Sequence, residues 1–577
     1  MSAVILQPPS DIHDAPAERV TVAGKPISRP PGLLGARAAM DGLACLALAV
    51  LMLRSFLVEG YMISTGSMAP ALYGYHKRVV CPTCGEVFAR GVAFDGSTAF
   101  ASDEDEPSGG RAHATCPNCG EAAIGVADVP RNHGDQLLVL KHAHELRPPQ
   151  RWEVVVFRNP EHATQAFVKR VAGLPGERVQ VIDGDLFADG EICRKSLANQ
   201  RAMRIPVFDT DRVPYNSESW QPRWLGDAGW KTHDEGGRRT FAFSSGDASD
   251  SENRESARVA WLSYHHHAPA ETLFETSVRV ARLPLGFEFP DSPLVEPVRF
   301  DADPVDGAAG TLTAIGPVND AWEHRLRDLS ADAAYQAAVT ELVQRSHRLP
   351  ITDAYAYNRS HVTQHAVGDL MVAFRPRLKG EGVFAVEMTD GRERFRLIGD
   401  ARERTLSLRR TVGDEELRSA ELPSALLSDD GAFVEMSVMD RQVLVAIDGQ
   451  EPFAPWTFDA PASLEQLATS PVRVGIKDSD ASVESLVLYR DVYYTRGRAR
   501  NGVDQPYALA DDEYFVLGDN SPVSLDSRSW ADGALKRNLL LGKPFVVHLP
   551  SRPATLRLGD RRWTVRVPDF GRMRYIR

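Results

Sequence analysis

The alternation of apolar and polar residues predicts that most of this chain forms β-strands. Stretches with a period of two, the pattern of a strand with one buried face, recur in the second half and are separated by turn residues. Such stretches read LMVAFRPRL, VFAVEM, RFRLIG, TLSLRR, FVEMSVM, QVLVAIDG, VRVGI and SLVLYRDVYYT. Their spacing predicts an antiparallel β-sandwich over about 351–497, preceded by a helix over 331–345.

One long apolar run, over 42–58, has a different pattern. It reads GLACLALAVLMLRSFLV, contains one charged residue, Arg54, and would extend about 25 Å as a helix. Basic residues precede the run, and Glu59 follows it without a small-residue cleavage site. The run therefore predicts an uncleaved single-pass membrane anchor, a cytoplasmic tail over 1–41, and a remainder outside the cytoplasm. A buried core helix is the alternative, because the run has fewer than twenty residues and Arg54 interrupts it.

The composition is that of a mainly soluble protein with several folding units. Hydrophobic residues make up 43% and charged residues 25% of the chain, which are ordinary globular values. At 577 residues, the chain exceeds the usual size of one domain. The formal net charge of -12 gives no general attraction to phosphates, so nucleic acid is not an expected partner.

Four of the six cysteines form two tight pairs, in CPTCG and CPNCG. Two Cys-x-x-Cys turns can surround a zinc ion tetrahedrally, and ligation by four thiolates leaves no open position for a reacting water. The pattern predicts a zinc-ribbon-like insert over 81–125 with a structural zinc. Its ligands would be Cys81, Cys84, Cys116 and Cys119. Disulfides are the competing state, because the predicted topology places these thiols outside the cytoplasm.

Three further segments carry candidate chemistry. Ser67 lies in TGSMAP, shortly after the apolar run. Lys169 lies in AFVKRVAGLPGERV, after an alternating stretch and before a Gly-Leu-Pro-Gly turn, which predicts a strand position. Near the C-terminus, EYFVLGDNSPVSLDSRSW runs from a predicted strand into a polar turn containing Ser524, Asp526 and Arg528.

These segments, in this order, resemble the type I signal peptidase family. The family pattern has Ser-Gly-Ser-Met-x-Pro, then Lys-Arg before Gly-Leu-Pro-Gly, then Gly-Asp-Asn-x-x-x-Ser-x-Asp-Ser-Arg. The resemblance implies a mainly β, signal-peptidase-type catalytic core built from 59–80, 126–200 and 501–577. The chain departs from the pattern at Thr65, which replaces a serine, and at Ser521, where many family members carry arginine.

The chemistry of a serine–lysine pair requires a neutral lysine. Ser67 is a weak nucleophile unless a base takes its proton, and Lys169 can do so only if its pKa falls from about 10.4 toward 7–8. The apolar neighbours of Lys169 favour this by desolvating the ammonium. We therefore assign Ser67 as the nucleophile and Lys169 as the general base, with no cofactor needed for catalysis.

The resemblance also implies roles for the remaining site residues. The Thr65 hydroxyl and the Ser67 backbone N–H would stabilise the oxyanion. Ser524 would hydrogen-bond Lys169 and orient it, while Asp526 and Arg528 would pair and hold the turn. Other serine-enzyme patterns fit worse, because Ser67 has no glycine two positions before it and no lysine three positions after it.

The predicted function is that of a membrane-bound serine endopeptidase that removes N-terminal signal peptides from exported preproteins. It would lie in the cytoplasmic membrane, in contact with lipid, with its catalytic domain on the extracytoplasmic side. The resemblance implies small residues at the cleavage point and two positions before it. It also implies that an extended substrate pairs with a strand edge beside Ser67.

The second insert, over 201–500, needs its own account. Its sandwich resembles the concanavalin or laminin-G type of jelly roll, which leaves a ligand of unknown chemistry as a further expected partner. We expect this insert to supply no residue that the mechanism needs. The alternative function is a non-catalytic envelope protein that binds glycan or protein on a peptidase scaffold.

Overall fold

The computed structural model divides the chain into two compact units, Met1–Leu57 and Val58–Arg577. It describes residues 31–92, 113–122, 124–214, 220–244, 259–267, 275–280, 298–302, 309–358, 364–459, 470–497, 500–558 and 561–576. The described part of the first unit is an α-helix, Pro31–Met52, followed by a π-helical turn, Leu53–Leu57. The second unit is mainly β, as the sequence predicts.

The predicted membrane-spanning helix over 42–58 is not found. No helix among the described residues has both the length and the apolar composition needed to cross a membrane. The apolar run is divided among three elements: the α-helix ends at Met52, the π-helical turn follows, and Val58 begins a strand. In addition, the helix carries the charged residues Arg37 and Asp41 before the apolar run.

An eight-stranded sheet forms the centre of the second unit. Its path runs through Val58–Met62, Gln136–Leu140, Leu540–Val547, Val154–Arg158, Ala166–Gly173, Glu513–Leu517 and Leu535–Lys536, and Arg574–Tyr575 pairs with Leu540–Val547. The strand Val154–Arg158 begins with a continuous apolar run because both of its faces are covered. Val154 and Val156 pack into one core, whereas Val155 and Phe157 pack into another.

The second unit also contains smaller sheets. A four-stranded sheet contains Glu191–Ile192, Asp185–Ala188, Arg178–Ile182 and Tyr507–Ala508. A three-stranded sheet contains Val87–Gly91, His76–Val80 and Arg131–Asn132. Two-stranded pairs are formed by His113–Ala114 with Ile124–Gly125 and by Ser551–Leu558 with Arg561–Pro568.

Two large antiparallel sheets share one hydrophobic core and form a β-sandwich. The first contains Trp230–Glu235, Arg238–Phe243, Asp480–Arg490, Leu370–Lys379, Val434–Met439, Gln442–Ile447, Trp456–Thr457 and Ile205–Asp209. The second contains Trp224–Gly226, Ala260–Tyr264, Val472–Lys477, Val383–Thr389, Arg394–Asp400, Thr405–Arg410 and Glu415–Glu421. The sandwich therefore also contains strands from residue 205 onward, whereas the sequence predicted it over about 351–497. The predicted domain boundaries otherwise stay predictions.

A small α/β layer interrupts the sandwich strands along the chain. Its sheet contains Glu275–Val280, Gly310–Ile315 and Val298–Ala302, and helices Asp320–Asp328 and Ala333–His347 follow. Val339 and Leu342 on the longer helix pack into one core with Leu312 of the sheet. This helix corresponds to the one predicted over 331–345. The remaining helical segments among the described residues are short: Ala143–Leu146, Leu197–Met203, Val412–Asp414, Ser424–Leu427, Ser521–Val523, Arg537–Leu539 and Phe570–Arg572.

Candidate active site

Ser67 and Lys169, which lie 102 residues apart in the chain, meet at one end of the central sheet. The Lys169 Nζ and the Ser67 Oγ are separated by 2.5 Å. Lys169 lies on the strand Ala166–Gly173, where it is directly opposite Val155 of the neighbouring strand. The Thr65 Oγ1 is 3.5 Å from the Ser67 Oγ, at the solvent-exposed side of the pair. The three residues assigned from the sequence to nucleophile, base and oxyanion donor therefore lie together.

The surroundings of Lys169 favour its neutral form. The side chain is only 3% exposed. Its Nζ lies 5.6 Å from the centre of the Phe167 ring. Burial lowers the pKa of Lys169 to about 8, while Asp526 acts in the opposite direction and Arg528 in the same direction. Desolvation outweighs the attraction of the carboxylate, which is the condition that a lysine base requires.

The loop that carries Ser67 is fixed from both sides of the residue. Met68 is buried in the core beneath the central sheet. Asn520 donates through its backbone N–H to the Ser67 carbonyl at 3.0 Å and through its Nδ2 to the Gly66 carbonyl at 3.0 Å. Gly518 approaches so closely that a Cβ there would lie 2.5 Å from the Ser67 carbonyl oxygen. A residue with a side chain could not occupy position 518 without displacing the Ser67 loop.

Asp526 and Arg528 form a buried ion pair in the turn beside Lys169. The guanidinium donates to the carboxylate twice, at 2.9 Å and 2.8 Å. Burial disfavours the charged carboxylate, but Arg528 outweighs it and lowers the pKa of Asp526. Arg528 also donates a hydrogen bond of 2.7 Å to the hydroxyl of Ser521, the position at which many family members carry arginine.

Ser524 does not make the hydrogen bond to Lys169 that the family resemblance implies. Its hydroxyl oxygen is buried, and no hydrogen bond of standard geometry joins it to another residue in the described ranges. It does lie near enough to Asp526 to help lower the pKa of that carboxyl. The side chain is directed beside Gly518, whose added Cβ would lie 2.3 Å from the Ser524 Oγ. The orienting role of Ser524 therefore lacks its expected contact.

A second buried ion pair joins residues that the sequence did not single out for function. Arg170, next to the lysine, donates to Asp519 at 2.8 Å and 2.6 Å in a bidentate arrangement. The two side chains are 3% and 1% exposed. The pair connects the Lys169 strand directly to the residue before Asn520, which holds the Ser67 loop. The sequence could have indicated this ion pair, because Arg170 directly follows Lys169 in one motif and Asp519 directly precedes Asn520 in the other.

A short segment of the large insert, residues 355–358, reaches the Ser67 loop; we call it the insert strap. Tyr357 packs against Gly66 so closely that a Cβ on this glycine would lie 2.1 Å from its ring. Its hydroxyl donates to the Tyr75 carbonyl at 2.9 Å. Asn358 exchanges amide hydrogen bonds of 3.0 Å and 2.7 Å with Asn520.

The insert strap also supports the turn behind Lys169, because the Tyr355 hydroxyl donates to the Asp519 carbonyl at 2.7 Å. The 201–500 insert therefore lies against the Ser67 loop, but these contacts are made to Gly66, Asp519 and Asn520 and not to the Ser67 hydroxyl or the Lys169 amine. The expectation that the insert supplies no residue that the mechanism needs stays a prediction. Removing the insert would remove the ring against Gly66 and the amide partner of Asn520. The sequence carried no sign of this, because contacts across such a separation leave no local pattern.

The four paired cysteines come together in the turns that follow the strands His76–Val80 and His113–Ala114. The Sγ atoms of Cys81 and Cys119 are 3.6 Å apart, as are those of Cys84 and Cys116. The thiols are free, and all four sulfurs lie within 4.8 Å of one another. Each pair lies in the same kind of turn, closed by a glycine N–H donating to the first cysteine carbonyl at 3.0 Å and 3.1 Å. The cluster has the donors and the spacing to hold a metal ion.

Sequence comparisons relate the chain to signal peptidases. The family described as "Signal peptidase, peptidase S26" matches residues 129–234 and 474–549. The chain is 36% identical over 86 residues to a probable signal peptidase I-1 of Synechocystis, covering 13% of this chain and 44% of that protein. It is 38% identical over 58 residues to signal peptidase I V of Bacillus subtilis, covering 10% and 33%. The chain thus spans less than half the length of these curated relatives. The matches confirm the resemblance to the type I signal peptidase family.

Solved structures match the chain only weakly. A Bacillus subtilis protein with a galectin-like fold aligns with 50% of this chain and 98% of its own, at 10% identity and a TM-score of 0.23. A carbohydrate-binding module from Bacillus subtilis aligns with 20% of this chain and 73% of its own, at 11% identity and a TM-score of 0.17. Similarity at these scores carries no argument about the sandwich or its ligands.

Proposed function

We propose that this protein is a serine endopeptidase that cleaves N-terminal signal peptides from exported preproteins with a Ser67–Lys169 dyad. The observation that carries the proposal is the 2.5 Å separation of the Ser67 Oγ from the Nζ of a buried lysine. A hydroxyl and an amine in contact, with the amine desolvated, are the parts of an activated nucleophile. The matches to signal peptidases supply the substrate class.

The proposed reaction proceeds through an acyl-enzyme. Neutral Lys169 accepts the proton from the Ser67 hydroxyl as the Oγ attacks the substrate carbonyl carbon. The resulting oxyanion accepts hydrogen bonds from the Ser67 backbone N–H and the Thr65 hydroxyl. Lys169 then donates its proton to the leaving amine, and the peptide bond breaks. A water then attacks the ester carbonyl as Lys169 takes its proton. The ester bond breaks, the signal peptide leaves with its new carboxyl group, and Lys169 returns the proton to the Ser67 Oγ.

An edge strand beside the dyad supports the proposed mode of substrate binding. Val58–Met62 ends five residues before Ser67 and pairs with Gln136–Leu140 at the edge of the central sheet. An extended peptide can add to such an edge through main-chain hydrogen bonds, which places its carbonyl carbons along the Ser67 loop. Selection of small side chains at the cleavage point comes from the family resemblance.

The proposal is tested by incubating the purified protein with a preprotein and sequencing the N-terminus of the product. We expect one cut, after a small residue, at the junction of the signal peptide and the mature protein. A matched preprotein with a large aromatic residue at the cleavage point should remain intact. A protein that binds the preprotein but leaves both forms uncut would contradict the peptidase function.

The pKa of Lys169 predicts the pH dependence of cleavage. Only the neutral amine can accept the Ser67 proton, and the pKa of Lys169 is lowered to about 8. Below that pKa, kcat/KM should fall about tenfold for each pH unit, and above it the value should level off. Initial rates on a peptide substrate between about pH 6 and about pH 10 measure this profile. A flat profile over that range would exclude Lys169 as the base.

We also propose that the cysteine cluster holds a structural zinc ion. The S–S separations of 3.6 Å within the two cross-pairs approach the roughly 3.8 Å between sulfurs in a tetrahedral site with Zn–S bonds of 2.3 Å. The pairs are crossed, since Cys81 contacts Cys119 and Cys84 contacts Cys116, so one ion would join both turns. Four thiolate ligands leave no position for a substrate, which makes the ion structural.

Replacing Cys81 and Cys84 by serine should release about one zinc ion per chain and unfold the turns locally, because the ion supplies much of the folding energy of so small a module. Metal analysis and limited proteolysis between the two cysteine turns measure the effects. Cys45→Ser is the matched control, because this thiol is exposed and lies on the N-terminal helix. Wild-type protein without zinc and with four disulfide-bonded cysteines would contradict the site.

A further inference from the structure

Four aspartates converge where the four-stranded sheet meets the sandwich; we call them the seam cluster. They are Asp185, Asp369, Asp440 and Asp491. Carboxylate oxygens of the first three lie within 4.8 Å of one another. Asp185 opens a strand of the four-stranded sheet, whereas the other three lie directly before or after a sandwich strand. The cluster therefore joins two parts of the chain that fold from separate segments.

Tight turns bring these carboxylates together. Asp440 occupies the turn between two sandwich strands with a φ of 50°, and its backbone N–H donates to Asp369 at 2.9 Å. Asp185 follows a turn in which Gly184 has a φ of 92° and accepts at its carbonyl a hydrogen bond of 3.1 Å from the Tyr494 N–H. The Asp440 turn is thus tied to Asp369, and the turn before Asp185 is tied to Tyr494.

The positive charge at the seam is smaller than the negative charge. Lys195 donates to Asp440 at 2.6 Å and to Asp491 at 2.7 Å, so its ammonium is shared by these two carboxylates. Arg441 also acts on Asp185, but its guanidinium lies over the Phe187 ring. Ionised carboxylates this close repel one another strongly, and either protonation or a cation between them relieves the repulsion.

One carboxylate oxygen of the seam cluster is left without a partner. Asp491 is 3% exposed, and its Oδ2 contacts Lys195. Its Oδ1 is buried and accepts no hydrogen bond from any of the residues that the structure describes. Asp491 borders the cluster, because Lys195 bridges it to Asp440 and its backbone N–H donates to the Asp369 carbonyl. A buried carboxylate oxygen without a partner costs free energy, and a cation on the three neighbouring aspartates would lower this cost through its charge.

We propose that the seam cluster binds a divalent cation, with calcium as the expected ion, through Asp185, Asp369 and Asp440. Oxygens that surround a calcium ion at 2.3–2.6 Å lie within about 5 Å of one another, which matches the spacing of these carboxylates. Asp185 and Asp369 are half-buried, so the ion has a route from solvent and waters can complete its coordination. The site is separate from the cysteine cluster and does not depend on the proposed peptidase activity.

The bound ion would fasten the sandwich to the sheet that follows the Lys169 strand. Asp369 lies only eleven residues after the insert strap, and Asp491 donates its N–H to the Asp369 carbonyl at 2.9 Å. A ligand that binds the folded state alone stabilises it in proportion to the logarithm of its concentration over Kd. Calcium should therefore raise the melting temperature of the full-length protein.

Terbium luminescence tests the site directly. The Trp152 ring lies 4.6 Å from the Lys195 Nζ, close enough to the cluster to sensitise a bound terbium ion. Full-length protein is passed over a chelating resin, its zinc content is measured, and terbium is titrated with excitation of tryptophan. We expect one saturable site per chain that calcium displaces, and a higher melting temperature in calcium. A wild-type protein with neither response would overturn the proposal.

Substitutions assign the response to the seam cluster. Asp369→Asn should weaken terbium binding at least tenfold, because one charged ligand is lost while the oxygen that accepts from Asp440 is retained. Asp183→Asn is the matched control, since Asp183 is exposed in the same hairpin turn and asparagine tolerates its positive φ of 51°. Asp185→Asn replaces the first variant if that one does not fold. Unchanged binding in a folded Asp369→Asn or Asp185→Asn variant would overturn the proposal.

Discussion

Replacing Ser67 by alanine or Lys169 by methionine is expected to lower kcat for preprotein cleavage by about 10⁴-fold or more while leaving the protein folded. The hydroxyl and the amine contact each other at 2.5 Å and would act as one chemical unit. The double variant should therefore be no slower than either single variant. Single-turnover cleavage of a purified preprotein, with circular dichroism as the measure of folding, provides the comparison.

Neighbouring residues of the same types serve as controls for the dyad. Ser64→Ala removes a hydroxyl from the same loop, and Lys536→Met removes an exposed lysine from the edge of the same sheet. Both should retain cleavage within about threefold of the wild type, since surface changes away from the chemistry have small effects. Substantial activity in folded Ser67→Ala or Lys169→Met would exclude the dyad mechanism.

Replacing Asp519 by alanine is expected to lower the free energy of unfolding by about 3–5 kcal/mol, because it leaves the Arg170 guanidinium buried without its counter-charge. The two side chains are 3% and 1% exposed, so water cannot replace the lost carboxylate. Urea denaturation followed by circular dichroism measures the change. Cleavage should fall as well, because Asp519 precedes the Asn520 contacts that hold the Ser67 loop.

An exposed ion pair is the control for this loss. Asp504 pairs with Arg496, and the two side chains are 76% and 72% exposed. Asp504→Ala should change the free energy of unfolding by less than about 1 kcal/mol, because solvent screens exposed pairs. Equal losses for Asp519→Ala and Asp504→Ala would mean that burial of the Arg170 pair has no special role in stability.

The features that could be predicted from the sequence are those written in short local patterns. Period-two alternation identified the strands, and the two Cys-x-x-Cys turns identified four sulfurs that the structure brings together. The pairing of Ser67 with Lys169 was implied by the resemblance of three ordered motifs to the signal peptidase family, and desolvation of the lysine was expected from its apolar neighbours. Each of these inferences required only nearby residues or an ordered set of motifs.

What could not be predicted depends on contacts between distant segments. No periodic pattern in the sequence indicates that Tyr357 packs on Gly66 or that Asn358 and Asn520 exchange hydrogen bonds. None indicates that the seam cluster converges. Two other predictions came from local signals. A local apolar run suggested a membrane-spanning helix over 42–58, but the α-helix ends at Met52. A family motif suggested the hydrogen bond from Ser524 to Lys169, but the Ser524 hydroxyl lies beside Gly518.

Attachment of the Ser67 loop to much later residues has a consequence for biosynthesis. A ribosome delivers Ser67 and Lys169 long before the groups that fix their geometry: Asn520 lies 454 residues beyond Gly66, and Tyr357 lies 282 residues beyond Tyr75. On the proposed mechanism, a nascent chain would carry both reactive side chains without an assembled catalytic centre. Proteolytic competence would then arise only after Asn520 had been synthesised, so a nascent chain that is shorter than this could not cut itself.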